Sequence, residues 1–154
     1  MPSRAILNSD RPSIGSGVND LEVKITNPRC DSVDLPPGSN MGEGVYSGSL
    51  DGREIWVLVY GPDRKYYPQS SSDPCQGMSV PAANGHWQTN LFLGVNPPEQ
   101  FDIVATMAKA ESRASQDFKR WLKDGCDSNQ FPGFSASQLP SGLIEMDAIT
   151  VKTK

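Results

Sequence analysis

Histidine is almost absent from this chain, and cysteine, basic clusters and long apolar runs are scarce; each shortage removes a class of function. His86 is the single histidine in 154 residues, so zinc sites built from several imidazoles are excluded. The three cysteines, Cys30, Cys75 and Cys126, lie far apart with no Cys-x-x-Cys pair, so a thiolate metal centre has no local signature. No cofactor is expected. Calcium, which takes carboxylate oxygens from loops, is the one ion left open, through Asp31, Asp34, Asp63 and Asp73. The 14 basic residues are interspersed among 18 acidic ones, for a net charge of −4. Without a basic stripe nothing supports phosphate contacts, and neither nucleic acid nor an anionic membrane surface is an expected partner. No segment is long and apolar enough to span a bilayer. Met1 to Gly17 is polar and lacks the apolar core of a signal peptide. That feature, the odd cysteine count and the lack of an Asn-x-Ser/Thr sequon point to a reducing cytoplasm. A Cys30–Cys75 or Cys75–Cys126 bridge stays open.

Catalytic signatures are equally sparse. No Gly-x-Ser-x-Gly elbow occurs, Gly15-Ser16-Gly17 being part of the lead-in, and any nucleophilic triad would have to use His86 as its base. Asp51, Glu54, Asp63 and Asp73 sit at turns and strand edges, where carboxylates are normally solvated. The chain reads as a non-enzyme, with a small Cys/His hydrolase as the third-ranked function.

What is present is turn chemistry alternating with short apolar runs. Glycine (14) and proline (13) fall mostly between those runs, a distribution that suits many short strands and not a helical bundle. Residues 1–17 read as a flexible lead-in or linker, and 18–154 as one domain. Leu21, Val23 and Ile25 alternate with Glu22, Lys24 and Thr26 as a half-buried strand that Asn27-Pro28 ends. Residues 29–42 read as loop, and 45–50 as a weaker strand. Glu54-Ile55-Trp56-Val57-Leu58-Val59-Tyr60 is apolar on both faces, the mark of a central strand. Asn84-Gly85 is a tight turn before a strand carrying Trp87, Leu91 and Leu93 on one face. Phe101, Ile103, Ala105 and Met107 alternate in the next, and Ile149 and Val151 in the last. Between these two, Ala114, Phe118, Trp121 and Leu122 recur at helical spacing near 111–124, with Gly125 placed to end the helix in left-handed geometry. The expected fold is all-β and mostly antiparallel: an immunoglobulin-like sandwich of six or seven strands with one inserted amphipathic helix.

The order Glu54-Ile55-Trp56-Val57-Leu58-Val59-Tyr60, Tyr66-Tyr67-Pro68-Gln69, Gly85-His86-Trp87-Gln88, Leu91-Phe92-Leu93-Gly94, Phe101-Asp102-Ile103, Leu139-Pro140-Ser141-Gly142 and Thr150-Val151 resembles an uncharacterised Ig-like module. That module is found at the ends of larger bacterial proteins, especially in cyanobacteria and actinobacteria, beside caspase-like peptidase, kinase and other signalling or defence domains. The resemblance covers residues 20–154 and transfers no catalytic or ligand residues. It implies an accessory recognition domain whose partner is a protein or an attached effector domain.

The candidate binding set is Tyr66, Tyr67, Gln69, His86 and Trp87. Trp56 and Trp87 are expected in the core. Tyr66 and Tyr67 flank a turn beside Pro68 and are expected to be partly exposed. There a tyrosine either stacks on a ligand or, as the favoured reading has it, pins a loop through its hydroxyl. A carbohydrate- or small-ligand-binding module using these aromatics is the second-ranked function. The Tyr66–Pro81 loop region, which holds the long polar stretch from Ser70, is the expected partner surface, since function concentrates on loops held by a rigid scaffold.

Overall fold

A computed structural model describes Arg11, Ile14, Gly15 and residues 20–70, 74–94 and 99–154. Eight strands form two four-stranded antiparallel sheets. The first is ordered β1 (Leu21–Asn27), β2 (Ser39–Gly48), β6 (His86–Phe92), β5 (Ala82–Ala83). The second is ordered β4 (Tyr66–Pro68), β3 (Arg53–Tyr60), β7 (Gln100–Lys109), β8 (Ile144–Lys152). Leu21, Val23, Ile25, Trp87 and Leu91 of the first sheet pack with Ile55, Val57, Val59, Ile103 and Ile149 of the second in one apolar cluster. The alternation visible in β1 and β6 therefore aims one face inward, as period-2 geometry requires.

The second sheet is covered on both faces. Trp56, Leu58, Tyr60, Val104, Ala108 and Ala148 point away from the sandwich and meet Ala114, Phe118 and Leu122 of helix α1 (Arg113–Ser128). That double coverage is why β3 reads as a continuous apolar run, and why Phe101 to Ala108 are all buried. Ser112 caps the helix, its hydroxyl accepting from the Ser115 backbone N–H. The helix runs past Gly125 and ends at Asn129, which takes the left-handed conformation (φ 58°) expected of Gly125. Gly125 serves packing instead: a β-carbon there would collide with the Phe131 ring.

Strand β2 is ten residues long and begins at Ser39, so residues 39–42 at the end of the expected loop are strand. Its buried positions are Gly42 and Gly44, over which Leu91 and Trp87 of β6 close directly. Glycine has poor strand propensity, and here the neighbours' bulk decides.

Of the expected lead-in, only Arg11, Ile14 and Gly15 are described, and the rest of residues 1–17 lies outside the described residues. Arg11 and Ile14 belong to the domain: Ile14 is buried against the helix-side cluster, and its carbonyl accepts the Glu145 N–H of β8. Farther along β8, Asp31 N–H donates to the Thr150 carbonyl and Lys152 N–H to the Ser32 carbonyl. Chain segments thereby cover an edge that would otherwise be open to pairing.

Cys75, in a 3-10 turn at Pro74–Gln76, is bridged to Cys126 of α1, with Cα atoms 5.2 Å apart. Cys30 takes no part in this bridge. The disulfide ties the long polar loop to the helix, so the segment expected to present a partner surface is clamped at its middle. Reducing the bridge, or Cys126→Ser, should lower the unfolding free energy by about 2–4 kcal/mol through loop-closure entropy. Urea titrations with and without reductant check this. No helix among the described residues is long and apolar enough to cross a membrane.

Candidate functional site

The five candidate residues separate into four environments. Tyr66 is fully buried in the helix-side cluster, its ring tilted against Tyr60 with centroids 4.6 Å apart and its hydroxyl accepting from the Arg11 guanidinium at 3.4 Å. The expectation of partial exposure fails for it because β4 turns this side chain under the loop after α1: Tyr66 and Phe134 exchange backbone hydrogen bonds of 2.7 and 2.9 Å. Trp87 is 2% exposed inside the sandwich, as expected of a strand tryptophan. His86 is exposed on the first sheet, opposite Val45, beside a cavity of about 970 Å³ that Trp87, Glu54 and Ile55 also line. Burial leaves the Trp87 indole N–H and Glu54 Oε1 without a hydrogen-bond partner among the described residues.

Tyr67 and Gln69 lie together in a different place. A cleft of about 830 Å³ opens where the two sheets and the C-terminal half of α1 meet. One wall is the β3–β4 turn with Tyr67. The second is the end of β6 with Phe92. The third is Trp121 of α1 with Phe131 just beyond it. Phe92 is 50% exposed and Phe131 37%, while Tyr67 and Trp121 are half-buried. Trp121 and Phe131 meet edge to face at 5.2 Å, and the Trp121 indole N–H donates to the Pro132 carbonyl at 2.8 Å. These aromatic walls are therefore held in place before any ligand arrives.

Gln69 braces the floor. Its amide NH₂ donates to the Tyr67 carbonyl at 2.8 Å, and its side-chain oxygen accepts the Phe92 backbone N–H at 2.7 Å. Adjacent Ser70 accepts the Thr89 hydroxyl at 2.7 Å through its carbonyl. One buried side chain thus spans from the second sheet to the first and fixes the spacing between two cleft walls. Both polar atoms of the Gln69 side chain are thereby engaged within the fold.

Tyr67 is fixed by Asp63, whose carboxylate accepts the phenol at 2.5 Å and the Lys65 backbone N–H at 3.2 Å. Desolvation first, and that hydrogen bond second, push the Tyr67 phenol from 10.0 up to about 12. A group whose pKa is raised by folding contributes stability that is complete below its unfolded value and lost as pH rises through the folded one. Tyr67 should therefore erode stability across about pH 10 to 12. Asp63→Asn should move its phenolate absorbance change back toward 10.0, read by ultraviolet difference titration.

Phe92, Trp121 and Phe131 were outside the candidate set. One signal could have found Phe92: Trp87, Thr89 and Leu91 face inward, so Phe92 is a large apolar side chain on the outward phase of its strand. Phe131 follows the helix in an irregular loop and carries no periodic signal. Of the carboxylates considered for calcium, Asp63 borders this cleft, Asp31 and Asp34 lie in the loop before β2, and Asp73 falls outside the described residues. Among the described residues no three His, Cys, Asp or Glu side chains are grouped to hold an ion. Two of the thiols on which a Cys/His site could draw are joined to each other. In comparisons with known proteins, the sequence matches no family model and no curated protein.

Proposed function

We propose that this chain is a non-catalytic recognition domain, immunoglobulin-like in its sandwich, serving a bacterial signalling or defence protein, and that it grips its partner in the Tyr67–Phe92–Trp121–Phe131 cleft. The observation that carries the reading is the aromatic lining of that cleft, with Phe92 half exposed at its rim. Solvent-facing aromatics on a preformed concave surface are what binding hot spots are made of, because they bury large area at little entropic cost. Screening a randomised peptide library against the immobilised domain tests it. Selected peptides should lose at least about tenfold in affinity with Phe92→Ala, equivalent to about 1.4 kcal/mol. Peptides indifferent to that change would place the binding surface elsewhere, the Ser70–Ala83 loop being the next to examine.

A second reading, a small-ligand or carbohydrate module, is favoured by the cavity's size: about 830 Å³ lies within the roughly 300–1,000 Å³ usual for small-molecule sites. Competition of selected peptides by monosaccharides would favour it. For the compartment, the Cys75–Cys126 disulfide argues toward oxidising surroundings, against the cytoplasmic expectation. Trapping thiols with an alkylating agent in intact cells separates the two.

A further inference from the structure

We infer that the cleft is built for a positively charged side chain, arginine or lysine, presented by an extended segment of a partner protein. This rests on the recognition reading above and adds the chemistry of what is recognised. Among the described residues its lining includes two charged ones, Asp63 and Glu99, both acidic, and no basic one. Among the described residues neither forms an ion pair: the Asp63 carboxylate accepts two uncharged donors, the Tyr67 hydroxyl and the Lys65 backbone N–H. The Glu99 backbone is fastened to Thr153, its N–H donating to the hydroxyl at 2.9 Å.

The helix supplies a second, separate source of negative potential. The C-terminal half of α1 forms one wall, with Trp121, Leu122 and the capping Asn129 all at the cleft. A helix C-terminus carries about half a negative charge, which a lysine or arginine in the last turn commonly offsets. The last turn of α1 has no basic residue, and that end of the dipole faces the cleft uncompensated by its own sequence.

Aromatic faces complete the fit. Tyr67, Phe92, Trp121 and Phe131 line the same space as these carboxylates. A cation over such rings gains on the order of 0.5–2 kcal/mol, most where water is displaced. An anionic ligand would meet like charge at two carboxylates and the helix end. A purely apolar one would desolvate both carboxylates without supplying a counter-charge to either, which is costly. A lone side chain does not fill about 830 Å³, so flanking peptide occupies the remainder, its apolar residue resting on Phe92.

The test uses the whole chain and four pools of acetylated, amidated nonapeptides. Each pool is randomised except at the central position, fixed as arginine, lysine, norleucine or glutamate, and binding is read by fluorescence anisotropy at low and high salt. The arginine and lysine pools should bind at least about tenfold tighter than norleucine, with glutamate weakest. Glu99→Gln combined with Asp63→Asn should erase that advantage, while Phe92→Ala weakens all pools. Far-ultraviolet circular dichroism confirms that the variants fold. Equal binding of norleucine and arginine pools, both sensitive to Phe92→Ala, would overturn the cation assignment and leave the recognition cleft standing. No pool sensitive to Phe92→Ala would overturn both. Free arginine amide binding as tightly as the arginine pool would overturn the peptide partner and point to a small cation.

Discussion

Arg11→Ala will lower the unfolding free energy by about 3–5 kcal/mol, although the residue lies in a stretch with no apolar pattern. Its guanidinium is 5% exposed and reaches three side chains of the second sheet's outer face. Nε donates to Asp102 Oδ2 at 2.9 Å, and the two terminal nitrogens donate to Glu145 at 3.0 and 3.2 Å. The third contact is the Tyr66 hydroxyl. Asp102 is 1% exposed and Glu145 9%, so alanine would leave two carboxylates buried without their cation. Removing one partner of a buried pair typically costs about 3–5 kcal/mol because of the stranded charge. In a domain of this size, that is a fall of roughly 10 °C in midpoint. Arg11→Met, which keeps the bulk, should lose nearly as much; a loss under about 0.5 kcal/mol, the range of an exposed site, would show that the contact carries no weight.

The same cluster gives the loss a pH signature. Burial raises the Asp102 carboxyl above its ordinary value, against the lowering effects of the Thr150 hydroxyl and Arg11. An acid raised by folding favours the fold when protonated, so its contribution is present in acid and is lost as pH rises through the folded value. Removing Arg11 takes away one lowering effect and raises the carboxyl further. The variant's deficit should therefore be smaller in mildly acid buffer than at neutral pH, as paired urea titrations would show. Deleting residues 1–17 should cost more than the loss of Arg11 alone, since it also removes buried Ile14, in contrast to the flexible lead-in that composition suggests.

Phe118→Ala is the second large effect, at about 3–5 kcal/mol. Phe118 is 0% exposed and sits edge to face with Trp56 at 5.3 Å and with Phe134 at 5.4 Å. Truncation opens a cavity between α1 and the second sheet. The surrounding groups cannot readily close it, because Trp56 is held by a 3.1 Å hydrogen bond from its indole to the Ser115 hydroxyl. Chemical denaturation measures the cost. Since Trp121 lies one turn along the same helix, Phe118→Ala should also loosen the cleft wall, weakening peptide binding more than a change on the far side of the sandwich would.

Most strands were legible because their signal is short-range. Alternation in 21–25, 87–91 and 101–107 is what a face of a pleated strand requires, whatever the rest of the chain does. The run at 54–60 carried more: apolar residues on both faces demand two covering layers, and Phe118 and Trp121 at helical spacing named one of them. Strand β2 escaped because its inward positions are glycines, whose fitness lies in Leu91 and Trp87 above them. The helix end was misplaced for a related reason. Gly125 has two physical uses, reversing a chain or admitting a neighbour, and only the position of Phe131 decides between them.

The sequence by itself determined the class, an all-β antiparallel chain with one amphipathic helix, since period and turn chemistry act over a few residues. Tertiary structure decided everything that joins distant segments: Cys75 with Cys126, Arg11 with Asp102 and Glu145, and Tyr67 with Phe92, Trp121 and Phe131. Such pairings leave no local trace, because each partner's residue type is compatible with many positions. Which of them meet is fixed by how the sheets, helix and loops exclude water together.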